Sequence, residues 1–325
     1  MNIFAIHAVL VGSLLSSGLV ALAEQADNYP SKPVRMVFGF PAGSSTDVAA
    51  RRVAAKLSIE LGQSFFIENR PGAGGNIACE FVAKAPADGY TLLVATVSEL
   101  AINKPTGMRI GFDPVKSFAP IGLLFVSHPV LVSSNASKLE TVPELVARSK
   151  ARPGEVSWAT VNTFQQVFIT SFQKAAGVKL NVVPYKGTAF AMNDVVGGQI
   201  DGMVGYPAEA MAQTSIGRAK ALALAGSQRN AFMPATPTLI ELGYAEMDLA
   251  AWSGIFAPAG TSRAIVDKVN RAMRNAMVTP DVRDAMAKTG SEVKLYSPDE
   301  FATFVSKEIA RWDKLVLETG VKVSE

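Results

Sequence analysis

Cysteine and histidine are nearly missing from this 325-residue chain: Cys79 is the one cysteine, and the histidines are His7 and His128. A single cysteine cannot close an internal disulfide, and one Cys with so few His cannot assemble a zinc-type ligand set. A Cys–His or Ser–His–Asp arrangement would depend on His128. That residue sits inside the apolar run Phe125-Val-Ser-His-Pro-Val-Leu-Val132 and reads as a strand-end histidine. Cys79 falls in the apolar pattern of Ile77, Ala78, Phe81 and Val82 and reads as a buried, inert thiol. No metal, no cofactor and no enzymatic chemistry are expected. Clustered charge is also lacking. The formal net charge is +3 with no run of Lys or Arg between aromatics, so nucleic acid is a poor partner.

Long apolar runs are absent after the first 23 residues, which carry no Lys, Arg, Asp or Glu. The stretch Ala8 to Leu22 ends at Ala21-Leu-Ala23, a small-x-small cleavage pattern. It is too short and too broken by Ser and Gly for a good membrane anchor, so residues 1–23 read as a cleaved secretory signal. About 300 residues then remain, enough for two domains of ordinary size. Apolar residues make up 49% and charged ones 18%, so a sizeable core is expected rather than disorder.

Strand-like and helix-like segments alternate almost throughout, which predicts an α/β fold with parallel sheets. Strands are expected at 34–40, 64–68 and 91–95, helices at 47–61 and 76–85, and a long extended stretch at 121–133. A second group holds strands at 156–160, 180–183, 202–206 and 219–225, with helices at 142–151, 165–176, 189–196 and 208–216. Thr141 with Glu144 has the spacing of a capping box. Extended chain near 251–260 and helices at 265–278 and 298–319 complete the pattern. No repeat and no low-complexity linker is visible, so the chain is expected to cross between domains on two strands.

The junction Phe40-Pro41-Ala42-Gly43-Ser44-Ser45-Thr46-Asp47 holds the most information. A buried strand ends there, small residues follow, and a helix opens. Unpaired N–H groups and the positive end of the helix dipole favour an anion, a carboxylate or a phosphate. The nucleophile elbow G-x-S-x-G is absent, so Ser44 or Ser45 makes a poor hydrolase nucleophile. Asp47 facing a bound anion would be repulsive, so it is expected to hold the loop backbone. Thr96 and Ser98 follow one strand, and Thr160, Val161, Asn162, Thr163 and Gln166 follow another; in open α/β sheets, ligands sit outside the carboxyl ends of strands. Each end could equally be an ordinary helix cap. Gly72-Ala-Gly74-Gly75 does not complete a dinucleotide fingerprint, because position 77 is Ile, and reads as a tight turn over a cleft. Arg70 and Lys186 are the cations nearest these loops.

At these residues the chain resembles the substrate-binding proteins of the tripartite tricarboxylate transporter family, also called Bug proteins. The resemblance covers nearly all of the expected mature chain. It rests on Tyr29-Pro-Ser-Lys-Pro-Val-Arg35, Leu61-Gly-Gln63, Glu68-Asn-Arg-Pro-Gly-Ala-Gly-Gly75 and Ala87-Asp-Gly-Tyr-Thr-Leu-Leu93. Val183-Pro-Tyr-Lys-Gly187, Gly197-Gly-Gln199, Pro237-Thr-Leu-Ile-Glu241 and Trp252 through Thr261 add to it. It implies a two-lobed periplasmic-binding-protein fold, type II-like, with a doubly wound, mostly parallel sheet in each lobe. Lobe 1 is expected over 24–127 plus 225–325 and lobe 2 over 128–224, with hinges near 127–129 and 224–230. It further implies a monomer in the periplasm that closes like a flytrap on a small organic carboxylate. Backbone amides, hydroxyls and water make the main contacts, and delivery is to the permease subunits of a membrane transporter. A ligand-sensing receptor without transport is the alternative, with a serine hydrolase far behind.

The departures from the family pattern bear on the ligand. The family's first loop usually reads Pro-Pro-Gly-Gly-x-x-Asp, where this chain has Pro41-Ala42-Gly43-Ser44-Ser45-Thr46-Asp47. The Gly-rich loop of the second lobe becomes Val161-Asn162-Thr163-Phe164, and the usual His falls at Gln166. A common Asp becomes Gly205, with Tyr206 next. Val161, Phe164 and Tyr206 make that wall bulkier and less ionic, so the expected ligand has one carboxylate and an aromatic or less polar body.

Overall fold

Alternate residues of the first strands are sent to opposite faces, and this sets the layering. In a computed structural model, which describes residues 28–322, Met36 and Phe38 of β1 (Val34–Phe38) enter one hydrophobic cluster and Val37 enters another. The secretory-signal reading of residues 1–23 lies outside the described residues. The first unit continues with α1 (Ser45–Leu61), β2 (Phe65–Asn69), α2 (Asn76–Ala83) and β3 (Thr91–Thr96), followed by a short π-helical stretch, Ser98–Ile102. β4 (Phe118–Ser127) ends at His128 and Pro129, where the chain crosses to a second sheet.

That sheet is built from β5 (Val130–Ser134), α3 (Val142–Ala151), β6 (Ser157–Thr160), α4 (Thr163–Ala176), β7 (Asn181–Pro184), α5 (Thr188–Val196), β8 (Gly202–Gly205), α6 (Pro207–Thr214) and β9 (Ala219–Leu224). The expected capping box is present at α3: Thr141 accepts from the Glu144 N–H, and Glu144 accepts from the Thr141 N–H. The chain then returns through β10 (Ala251–Pro258), α7 (Arg263–Val278), α8 (Pro280–Lys288), β11 (Ser291–Glu292) and α9 (Pro298–Thr319).

The strand orders are β11-β4-β10-β3-β1-β2 and β7-β6-β8-β5-β9. Both sheets are mixed. In the first, β2, β1 and β3 pair in parallel, but β10 inserts antiparallel between β3 and β4. In the second, β7, β6 and β8 pair in parallel, and β5 inserts antiparallel between β8 and β9. The inserted strands are those that adjoin the crossings, because a chain arriving from the other sheet enters its new sheet in the reverse direction. The return comes later than expected. Leu224 and Leu239 bond through backbone groups at 2.7 Å, and Leu224 bridges Thr238 in parallel, so this segment extends the second sheet's edge. The chain rejoins the first sheet only at Ala251.

One hydrophobic cluster runs through both sheets. It joins Val37, Leu93 and Ala95 of the first to Leu131, Trp158 and Val204 of the second by way of Phe164 and Phe168 of α4 and Trp312 of α9. α9 therefore packs on both halves, and Lys174 of α4 donates to the Glu318 carbonyl at 3.1 Å. Among the described residues no helix is long and apolar enough to cross a membrane.

Candidate functional site

The carboxyl ends of β1, β3 and β6 open on one cavity of about 390 Å³. Its first wall is the β1–α1 loop. Gly43 turns this loop in the left-handed region (φ 91°), which L side chains rarely adopt. Ser44 follows in extended conformation as the N-cap of α1, its hydroxyl accepting from the Asp47 N–H at 3.2 Å. Asp47 is 2% exposed and turned into the loop, where it accepts from the Gly43 N–H at 3.1 Å, from Arg51 at 2.9 Å and from Asn69 at 2.9 Å. Burial alone would raise its carboxyl, but these donors, Arg51 and Asn69 foremost, hold it below the usual carboxylate range. The loop is thereby fixed with the Ser45 and Thr46 N–H groups at the open end of a 17-residue helix.

The second wall is Thr96, Val97 and Ser98 at the end of β3. The third is Val161 and Asn162, where Asn162 caps α4 by accepting from the Gln165 N–H at 2.9 Å and Gln165 returns the bond to the Val161 N–H at 2.7 Å. The β7–α5 turn adds Lys186 and the first turn of α5 adds Phe190; Tyr185 steadies the turn by donating to Asp194 at 2.6 Å. Aromatic rings fill the remainder: Phe38, Phe40, Phe125, Phe164, Tyr206 and Trp252. Glu209 also lines the cavity; one of its oxygens accepts from the Tyr206 N–H at 3.2 Å, and burial pushes its carboxyl up to about 7.

Of the residues singled out from sequence, Phe40, Ala42, Gly43, Ser44, Ser45, Thr46, Thr96, Ser98, Val161, Asn162 and Tyr206 come together at this cavity. Four stand outside its lining. Asp47 serves the loop. Thr160 is fully buried at the end of β6. Thr163 donates to Asn103 at 2.6 Å and so ties α4 to the first half of the molecule. Gln166 is displaced by helix phase: α4 starts at Thr163, which places Gln165 rather than its neighbour against the Val161 loop. Arg70 is also elsewhere, stacked 3.7 Å over Phe81 and paired with Glu68. The Gly72–Gly75 turn is not part of the lining and packs against the chain just after β1, where a Cβ on Gly39 would meet the Gly75 Cα at 2.6 Å.

Sequence reasoning missed Phe125, Phe190, Glu209 and the segment Ala251–Ser253. Ala251–Ser253 reaches the cavity through its strand pairing, which local sequence does not reveal. An antiparallel strand beside β3 brings its amino end to the β3 carboxyl end, and Ser253 pairs with Thr96. The Thr46 and Ser253 hydroxyls lie 3.3 Å apart across that seam. Cys79 is fully buried, and burial first, with the Glu99 and Glu80 charges after it, pushes its thiol well up. It therefore has no thiolate to offer.

The profile of the tripartite tricarboxylate transporter family receptors matches residues 49–321. The chain belongs to that family. This receptor is 35% identical to protein BugT of Bordetella pertussis over 326 residues, spanning 99% of this chain and 100% of the relative. Its fold is similar to that of MatC from Rhodopseudomonas palustris, solved with bound malate (TM-score 0.83, 30% identity, 89% of this chain and 100% of that one). An R. palustris protein solved with adipate is similar at a TM-score of 0.86 and 30% identity, over 90% of this chain and 98% of that one. The periplasmic binding protein BugD is similar too, at a TM-score of 0.81 and 32% identity, with 90% and 99% covered. The type II-like, two-lobed α/β architecture is thus the family's own.

Proposed function

We propose that this receptor is exported to the periplasm, captures a small organic carboxylate between its lobes by flytrap closure, and delivers it to the permease of a tripartite tricarboxylate-type transporter. One observation carries the reading: the α1 amino terminus, the β3 end and the α4 amino terminus meet at a single cavity. Two helix starts from two lobes supply N–H donors and positive dipole ends to one anion. Lobe 1 is taken as the first sheet with its helices and lobe 2 as the second, with crossings at 128–129 and 248–250. The site needs no cofactor, and a monomer suffices. The relatives with malate and adipate support the ligand class.

The aromatic lining favours one carboxylate on a less polar body over citrate. Closure would bring the lobe 2 loops onto the loop at 43–46, biased by the contacts that exist only in the closed form. Thermal-shift measurement with benzoate, phenylacetate, adipate, malate and citrate is expected to show the largest rise for an aromatic acid, and that acid should reduce the radius of gyration in solution scattering. Equal stabilisation by citrate with no response to either aromatic acid would overturn the ligand assignment. Tight binding with an unchanged scattering curve would overturn closure.

A further inference from the structure

Glu99 is 1% exposed and lies directly behind the cavity wall, in the π-helical stretch after β3. Its Oε2 accepts from both the backbone N–H (3.2 Å) and the hydroxyl of Thr96, while its Oε1 is buried with no hydrogen-bond partner. Thr96 Oγ1 in turn accepts from the Ser98 N–H at 3.2 Å. The Gly75 backbone closes over the carboxyl: a Cβ there would sit 2.8 Å from Oε1.

The hydroxyl inventory of Thr96 then decides what the cavity meets. With Glu99 ionised, the Thr96 hydrogen points back at the carboxylate, one lone pair holds the Ser98 N–H, and the other lone pair is left for the cavity. An anion there would face an acceptor, with a buried negative charge behind it. With Glu99 protonated, the carboxyl donates to Oγ1. Both lone pairs are then occupied, and the Thr96 hydrogen is free to donate into the cavity. We propose that Glu99 is a proton-linked positioning residue of the anion site: the receptor takes up a proton on Glu99 with each carboxylate it captures.

The surroundings suit this role. Burial pushes the Glu99 carboxyl up to about 7, against the Thr96 donors that pull it down. Besides burial, the groups that act on it are Thr96 and its own backbone N–H. On α2 the facing titratable group is Cys79, kept as a thiol by burial. On α9, which packs against the same stretch, Glu308 is engaged by Trp252, Trp312 and Arg311.

This proposal rests on the carboxylate reading above and deepens it. Calorimetry with benzoate, adipate and malate at about pH 6.5, 7.5 and 8.5, in phosphate and in Tris, counts the protons exchanged while the ligands stay ionised. For the tightest of the three, affinity should fall about tenfold between pH 7.5 and 8.5, with proton uptake nearing one. Glu99→Gln keeps an amide that donates to Thr96; it should bind at pH 8.5 about as tightly as the native receptor at pH 6.5, with a flat profile and no uptake. A flat native profile without proton uptake would overturn the proposal and leave the carboxylate reading standing. So would uptake that survives in Glu99→Gln, which would move the proton to another group such as Glu209, whose carboxyl lines the cavity. Failure of all three acids to bind at any pH would overturn both.

Discussion

Ser45→Pro is expected to leave the receptor folded and to weaken carboxylate binding by about ten- to thirtyfold. Position 45 is the first residue of α1, where the proline ring matches the helical φ and removes an N–H that no carbonyl of the helix would accept. The preceding residue must be extended before proline, and Ser44 already is, at φ −70° and ψ 160°. So the helix tolerates the change, while the anion loses one backbone donor. A charge-assisted bond of that kind is worth about 1.5–2 kcal/mol, which converts to the stated factor. Ser45→Ala is the control, because it removes the hydroxyl and keeps the N–H. Calorimetry on the two variants should show Ser45→Ala close to native and Ser45→Pro clearly weaker. Equal affinities would mean that the α1 amino terminus does not hold the anion.

Glu308→Ala should be the more damaging change to stability, although Glu308 does not itself line the cavity. Glu308 Oε2 accepts from the indole N–H of Trp252 and of Trp312, each at 3.1 Å, and Arg311 donates to the other oxygen. Both indoles are essentially buried, at 1% and 0% exposure. Removing the acceptor orphans two buried donors, a loss of about 2–4 kcal/mol, or a Tm fall of about 3–6 °C in a protein of this size. Trp252 also lines the cavity and Trp312 packs edge-on against Phe164, 5.4 Å between centroids, so ligand affinity should drop with stability. Glu308→Gln retains an acceptor oxygen for the indoles and should recover most of the loss. Thermal melts of the two variants check this; a native-like melt for Glu308→Ala would show that water replaces the carboxylate.

Helices were the most legible part of the sequence. Thr141 with Glu144, Gly62 after Leu61 and Gly177 after Ala176 mark caps that depend only on neighbours a few residues away. What depends on distant pairing was not legible. Nothing near β5 or β10 says that each inserts antiparallel, and nothing near Thr238 says that it adds to the edge of β9. α8 was missed because its nine residues follow α7 directly at Thr279 and Pro280, where a reader of periodicity sees one helix ending. At the site, the loop at 40–46 and the strand ends that line the cavity were legible as junctions, from small residues after apolar runs. Gln166 was singled out because the family's usual His falls there, and that alignment does not show that its neighbour Gln165 is the residue bonded to the Val161 N–H. Thr96 stands three residues before Glu99 and Trp312 four after Glu308, but nothing local says that these carboxylates are buried or that Trp252 reaches Glu308 from β10.

The most direct test of the central claim is mass spectrometry of whatever small molecule the receptor releases on denaturation after gentle purification from its native compartment. The expected molecule is an organic acid, near one per protein, with a carboxylate for the 43–46 loop and a largely apolar body for the aromatic wall. A stoichiometric ligand with no carboxylate or other acidic group would contradict that claim.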